Sequence, residues 1–98
     1  MGDVVITDNR ASGRFEALVG GALAGYAEYR DRPGHRVLTH TVVDPAFEGQ
    51  GVGSALARNA LDRARADGVG IVPACPFVHA WIDRHPEYAD LVVADRPG

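Results

Sequence analysis

No lysine occurs anywhere in the 98 residues. A Walker-type phosphate loop needs Gly-Lys-Ser/Thr, so its absence removes that class. Cys75 is the only cysteine, so no internal disulfide can form. One cysteine with His35, His40, His79 and His85 does not have the spacing of a zinc site, and no metal is expected. There is no apolar run near the roughly 18 residues of a membrane span. The start, Met1-Gly2-Asp3-Val4, lacks the basic region and apolar core of a signal peptide, and Ile6 stands where a myristoylated start carries Ser or Thr. A reducing cytoplasm fits these absences. Nor is there a basic excess: the net charge is −3, with acids spread along the chain, which speaks against nucleic acid as a partner.

What is present is a chain of ordinary globular composition, 46% hydrophobic. Its length predicts a single domain over 1–98 with one modest core, and any cofactor in a groove rather than a deep pocket. Val4–Ile6 reads as a first strand and Arg14–Val19 as a second. Gly20-Gly21 is a two-residue hairpin signal, and Ala22–Arg30 follows as a third strand, with Gly25 marking a bulge or a close approach. After the turn cluster Asp31-Arg32-Pro33-Gly34, the β-branched run Arg36–Val43 is the clearest strand. Short connections predict an antiparallel meander of these four.

The period then changes. Val52, Ala55, Leu56, Ala60 and Ala64 recur at helical spacing over Val52–Asp67, and Gly68 caps the end. Val69–Ala74 reads as a fifth strand, parallel to the fourth through a right-handed crossover. Pro76 suits the first turn of a second helix, with Phe77, Ala80 and Trp81 facing the sheet and Val78 and Ile82 extending that face. His85-Pro86 breaks it, Pro86–Val92 forms one more short helical turn, and 94–98 are a tail. The fold class is α/β of mixed type.

The rest of the chain is organised around Asp44 to Leu56. Gly49, Gly51 and Gly53 leave backbone N–H groups unobstructed where a helix begins, which makes an anion site at the positive end of the helix dipole. A dinucleotide-binding turn needs a third glycine where Leu56 stands. The plainer alternative is a glycine turn that only caps a helix.

Two further residues carry chemistry. Cys75 falls where the fifth strand meets a helix start, whose dipole favours the thiolate; a buried cysteine acting as a small hydrophobe is the alternative. His40 lies in the fourth strand, next to the fifth, so the two are expected near each other, with His40 as a general base or as the activator of Cys75. A histidine hydrogen-bonded on a sheet face is the plainer alternative. His79 stands four residues after Cys75, and His85 reads as a cap or a surface residue. Tyr88 is either a proton donor to a leaving thiolate or packing, and Trp81 is expected in the core.

Leu38-Thr39-His40-Thr41-Val42-Val43, Phe47 to Leu56 with its Gln50-x-x-Gly53-x-Ala55, Val72-Pro73-Ala74-Cys75-Pro76-Phe77-Val78, and Trp81-Ile82-x-x-His85-Pro86-Glu87-Tyr88 together resemble the short, single-domain Gcn5-related N-acetyltransferases. The resemblance implies a mixed sheet of that family's type and acetyl-coenzyme A as acyl donor. It implies that backbone groups near Val42 and Val43 hold the pantetheine arm, and that Gln50, Gly51, Val52, Gly53, Ser54 and Ala55 hold the pyrophosphate. His40 and Cys75 stand at the matching positions proposed to act near the acetyl group. The acceptor is then an amine, on a small molecule or a protein, or Cys75 itself as a transient carrier. A coenzyme A-binding module without catalysis, acting as a sensor or a protein partner, is the second function class.

Overall fold

The computed structural model describes residues 3–93, so the readings made on Met1-Gly2 and on the tail over 94–98 lie outside the described residues. Strands β1 (Val4–Asn9), β2 (Arg14–Val19), β3 (Ala22–Arg32) and β4 (His35–Val43) are followed by a 3₁₀ turn over Pro45–Phe47 and helix α1 (Val52–Asp67). Strand β5 (Gly70–Pro73), helix α2 (Pro76–Asp83) and a second 3₁₀ segment over Pro86–Leu91 complete the order. The five strands lie in sequence order, β1-β2-β3-β4-β5, antiparallel up to β4 and parallel between β4 and β5. The expected antiparallel meander and the parallel pairing of β4 with β5 are therefore present.

Local chemistry explains most of the boundaries. Gly20 and Gly21 both take positive φ, as the tight β2–β3 hairpin demands. Thr7, Asp8 and Asn9 pair with Glu16, Phe15 and Arg14, so β1 runs three residues beyond its β-branched start. The β3–β4 turn is tighter than the sequence suggests: Asp31 pairs with Arg36 and Arg32 with His35, leaving Pro33-Gly34 as the loop. An ion pair of 2.6 Å between Arg36 Nε and Asp31 braces it. β5 is shorter than expected, because Val69 still belongs to the helix exit, donating its N–H to Ala64 O at 3.0 Å.

One face of the sheet packs on α1. The helix buries Val52, Leu56, Ala57, Ala60, Leu61 and Ala64 against Phe15, Ala17, Ala27, Tyr29 and Leu38. Its three buried alanines bring the backbone close to the sheet. The larger side chains supply most of the apolar burial, about 1.5–3 kcal/mol each. Arg36 is buried at the end of this face, held by Asp31 and, at 3.2 Å, by Asp67 of α1. Those two carboxylates hold its guanidinium above its ordinary pKa although burial itself pulls the other way.

The packing register of α2 differs from the expectation. Val78, Trp81 and Ile82 are buried, while Phe77 and Ala80 are exposed. The Cys75 N–H donates to Leu38 O at 2.9 Å, which fixes the rotation of the helix start. Phe77 then turns away from the sheet and toward Gly53 of α1, where its ring tip would lie 2.9 Å from a Cβ.

Two irregularities re-aim the strands. At Gly25 an added Cβ would meet Val42 O at 2.5 Å, so the close approach read from sequence is present, beside a register shift between Ala17 and Leu18. The second shift matters more. Tyr29 pairs with Leu38 but Glu28 pairs with His40, so Thr39 is an extra residue in β4. Before it, Arg36 and Leu38 face α1; after it, Thr41 pairs with buried Ala27, and Val43 packs on the core. His40 and Val42 are thereby moved to the opposite face. Among the described residues no helix is long and apolar enough to cross a membrane.

Candidate functional site

The site begins where β4 loses its neighbour. β5 pairs with β4 only from His35 to Leu38, and the chain then turns away at Ala74-Cys75 into α2. Beyond Leu38, the edge of β4 from Thr39 to Val43 has no strand beside it among the described residues. Such an edge presents N–H and C=O groups in a row to an extended ligand.

This edge runs toward the N-terminus of α1. Asp44 leaves β4 and accepts the Ala46 N–H at 2.9 Å, closing the 3₁₀ turn. Gly51, at φ 76°, is the N-cap of α1 and gives no side-chain cap. The first backbone bond of the helix is Ala55 N–H to Gly51 O at 3.0 Å, so the N–H groups of Val52, Gly53 and Ser54 precede the ladder. Positive φ at this cap is what an L side chain resists and glycine accepts. An open groove of about 250 Å³ lies over these residues, between Val43, Phe47, Gly53 and Phe77. Gln50 is exposed, Val52 is buried beneath the groove, and Ala55 is half-buried. The Ser54 hydroxyl accepts the Trp81 indole N–H at 3.2 Å, which ties α2 to the helix start. Val42 is exposed on the other face, lining an apolar groove of about 270 Å³ with Leu23, Gly25 and Tyr26.

His40 and Cys75 do not form a pair. The Cys75 side chain is on the α1 face, 4% exposed, and its Sγ–H donates to Thr41 Oγ1 at 3.5 Å. His40 is on the opposite face, with its side chain 71% exposed and Nδ1 3.1 Å from Glu28 Oε1. The proximity expected from adjacent strands fails because the extra residue at Thr39 shifts the alternation by one. Thr41 and Glu28 are the partners that sequence reasoning missed. Neither is visible without the strand register.

Trp81, His85 and Tyr88 have structural duties. Trp81 is buried, as expected. His85 stacks on it with ring centroids 3.7 Å apart, and its Nδ1–H donates to Trp81 O at 2.7 Å. His79 points to solvent near Asp83, at 3.7 Å. Tyr88 is buried and donates to Asp62 Oδ1 at 2.7 Å, while Arg58 donates to the same hydroxyl oxygen at 3.2 Å. The Asp62 bond, together with burial, raises the phenol above its ordinary pKa. Phe77, expected in the core, instead forms a wall of the groove at the start of α1. Among the described residues no cluster of three or more His, Cys, Asp or Glu is placed to hold a metal.

An open strand edge leading to an uncapped helix N-terminus suits a ligand with an amide-bearing arm and an anionic head. Comparison with known structures places the fold. A GCN5-like N-acetyltransferase from Staphylococcus aureus superposes with a TM-score of 0.72 at 21% identity, covering 98% of this chain and 94% of that one. A ribosomal-protein-alanine N-acetyltransferase from Brucella melitensis biovar Abortus 2308 gives a TM-score of 0.58 at 24% identity, over 87% of this chain and 64% of that one. A GCN5-related N-acetyltransferase from Kribbella flavida gives 0.56 at 25% identity, over 74% of this chain and 21% of that one. No match is found among curated protein sequences. The family model for GCN5-related N-acetyltransferases matches residues 14–91, which span β2 to the final 3₁₀ segment, and the chain belongs to that family.

Proposed function

We propose that this protein is an acetyl-coenzyme A-dependent acyltransferase that acetylates an amine. The observation that carries this reading is the free edge of β4 beyond Leu38, running into the uncapped start of α1. The backbone of Val42 and Val43 holds the pantetheine arm as a neighbouring strand would. The main-chain N–H groups of Val52, Gly53 and Ser54, which precede the helix ladder, hold the pyrophosphate together with the loop backbone at Gln50 and Gly51, aided by the helix dipole; the Ala55 N–H, expected among them, is instead bonded to Gly51 O at 3.0 Å. The donor supplies an acetyl thioester. His40 accepts the proton that the amine sheds, at Nε2, while its Nδ1 lies 3.1 Å from Glu28 Oε1. Direct transfer is preferred to a relay through Cys75, because the thiol is buried on the face away from His40. The Brucella relative, by its name, acetylates a protein alanine, which fits an amine acceptor. A single domain in a reducing cytoplasm completes the proposal.

A non-catalytic coenzyme A-binding module is the second reading. It is favoured by Tyr88, whose hydroxyl is already engaged by Asp62 and Arg58 rather than free to protonate a leaving thiolate.

Calorimetry with acetyl-coenzyme A, coenzyme A and ATP tests the shared step. Micromolar affinity for both coenzyme A forms, about −8 kcal/mol, with little for ATP, is the expected result. Absence of binding to either form sinks both readings. Release of thiol from acetyl-coenzyme A in the presence of amines then separates the enzyme from the module.

A further inference from the structure

We infer that the groove over the β3–β4 face, between Ser12, Glu28, Arg30, Thr39 and His40, is the acceptor site, and that it takes a small amine that also carries a carboxylate, such as a free amino acid. This rests on the acyltransferase reading above. The groove measures about 300 Å³, the size of a small-molecule site, and lies where the β1–β2 loop meets β3. His40 is its link to the chemistry. That residue stands on β4 at the first positions beyond Leu38, where β5 has left the strand, so its imidazole lies between the groove and the free edge assigned to the acyl donor.

The groove is lined by charges of both signs. Glu28 is paired across the strands with His40, and its carboxylate lies on the same face. It attracts an ammonium to the place where His40 can deprotonate it. Arg30 is two residues further along β3, which puts it ~6.6 Å away on the same face. It forms no ion pair among the described residues. The other cation beside Glu28 is Arg14, its partner on β2, and that guanidinium is already held by Glu16 at 2.7 Å and lies over the Tyr26 ring. Arg30 is thus the cation at the groove left for an acceptor carboxylate, and guanidinium is the side chain best suited to bind one in two places. A simple diamine would meet Arg30 as a like charge.

In the step itself, His40 Nε2 first takes the ammonium proton and passes it to solvent, and the neutral amine nitrogen then attacks the thioester carbonyl carbon of acetyl-coenzyme A. A C–N bond forms and the C–S bond breaks; the sulfur leaves with the electron pair as coenzyme A thiolate, and the amine proton passes to His40 Nε2.

The experiment has two arms. In the first, backbone amide shifts of the protein without coenzyme A are followed by NMR during titration with L-phenylalanine, L-lysine, phenethylamine and cadaverine. Shifts at Gly13, Glu28, Arg30 and Thr39 with the two amino acids, and at least tenfold weaker binding of the two decarboxylated amines, are expected. In the second arm, thiol release from acetyl-coenzyme A is measured with the same four compounds. Arg30→Ala should raise KM for the amino acids by tenfold or more with kcat little changed, and should erase their advantage over the amines. Arg30→Glu should reverse the preference toward cadaverine. The amide spectra of the two variants, with the dispersion of the parent, are the check that both remain folded. Equal binding of amino acids and amines, shifts confined to other residues, or no shifts at all would overturn the assignment. Because the first arm needs no acyl donor, failure there is distinguishable from failure of acetyl-coenzyme A to bind.

Discussion

The Cys75 thiol and the Thr41 hydroxyl are 3.5 Å apart on the helix-covered face of the sheet, while His40, the residue before Thr41, stands on the other face. A relay through the thiol would require that His40 and Cys75 act as a unit, and groups that act as a unit give non-additive losses. Separated groups with different partners give additive ones. His40→Ala is therefore expected to lower kcat by about 10²–10⁴. Cys75→Ala is expected to lower it by much less, and the double variant by the product of the two. Steady-state rates on the four proteins decide this. A double variant no worse than His40→Ala alone, with Cys75→Ala equally inactive, would restore the relay.

Tyr88 is placed as a strut rather than an acid. Its hydroxyl bridges Asp62 and Arg58 on α1, and its ring packs at 5.6 Å from that of Trp81. Removing a hydroxyl bonded to a carboxylate costs about 1.5–3 kcal/mol, less where water can reach the freed group. Tyr88→Phe should lower the unfolding free energy by that amount, read from a lower urea midpoint, with acetyl-coenzyme A affinity and kcat retained. Loss of kcat at unchanged stability would make Tyr88 the proton donor.

Tyr29 sets an alkaline limit on stability. Burial, and then its 2.6 Å bond to Asp8, push its phenol up to about 12 from an ordinary value of 10.0. The neutral phenol is thus the form the folded state favours. Its contribution is complete below pH 10, where both states are protonated, and declines as pH rises from 10 towards 12, where only the unfolded chain sheds its proton. Two units correspond to about 2–3 kcal/mol at most. Tyr29→Phe should be less stable than the parent near neutrality and should show a flatter fall between pH 10 and 12 in urea unfolding. Parallel pH curves for the two proteins would remove Tyr29 from the alkaline limb.

The glycine loop, the four-strand meander, α1 and the parallel β5 were all legible because each depends on local chemistry: turn residues, β-branched runs and helical spacing. What sequence could not yield is the register. The extra residue at Thr39 leaves no mark in Leu38-Thr39-His40-Thr41, yet it decides that His40 meets Glu28 and that Cys75 meets Thr41. The rotation of α2 was lost for a similar reason. Phe77 and Val78 are both apolar neighbours, and only the Cys75 N–H bond to Leu38 O, a contact across 37 positions of chain, selects Val78 for the core. Contacts of long sequence separation fix these choices, whereas periodicity reports only near neighbours.

Gly53 has two competing reasons to lack a side chain, and they can be separated. A Cβ there would lie 2.9 Å from the tip of the Phe77 ring, so the glycine admits that ring. It also lies on the groove at the start of α1, where the main chain is assigned to the pyrophosphate. In a helix interior alanine is favoured over glycine by about 1 kcal/mol, and by less in the first turn, where Gly53 stands. Gly53→Ala in the parent therefore gains helix stability but must displace Phe77. In a Phe77→Ala background the obstruction is gone, and Gly53→Ala should raise stability by about 0.5–1 kcal/mol in urea unfolding. If the glycine also serves ligand approach, the same double variant should bind acetyl-coenzyme A about tenfold more weakly than Phe77→Ala alone, a difference of about 1.4 kcal/mol by calorimetry. Equal affinities would mean that Gly53 exists for Phe77 alone, and that the phosphates meet the chain at Gly51 and Val52 instead.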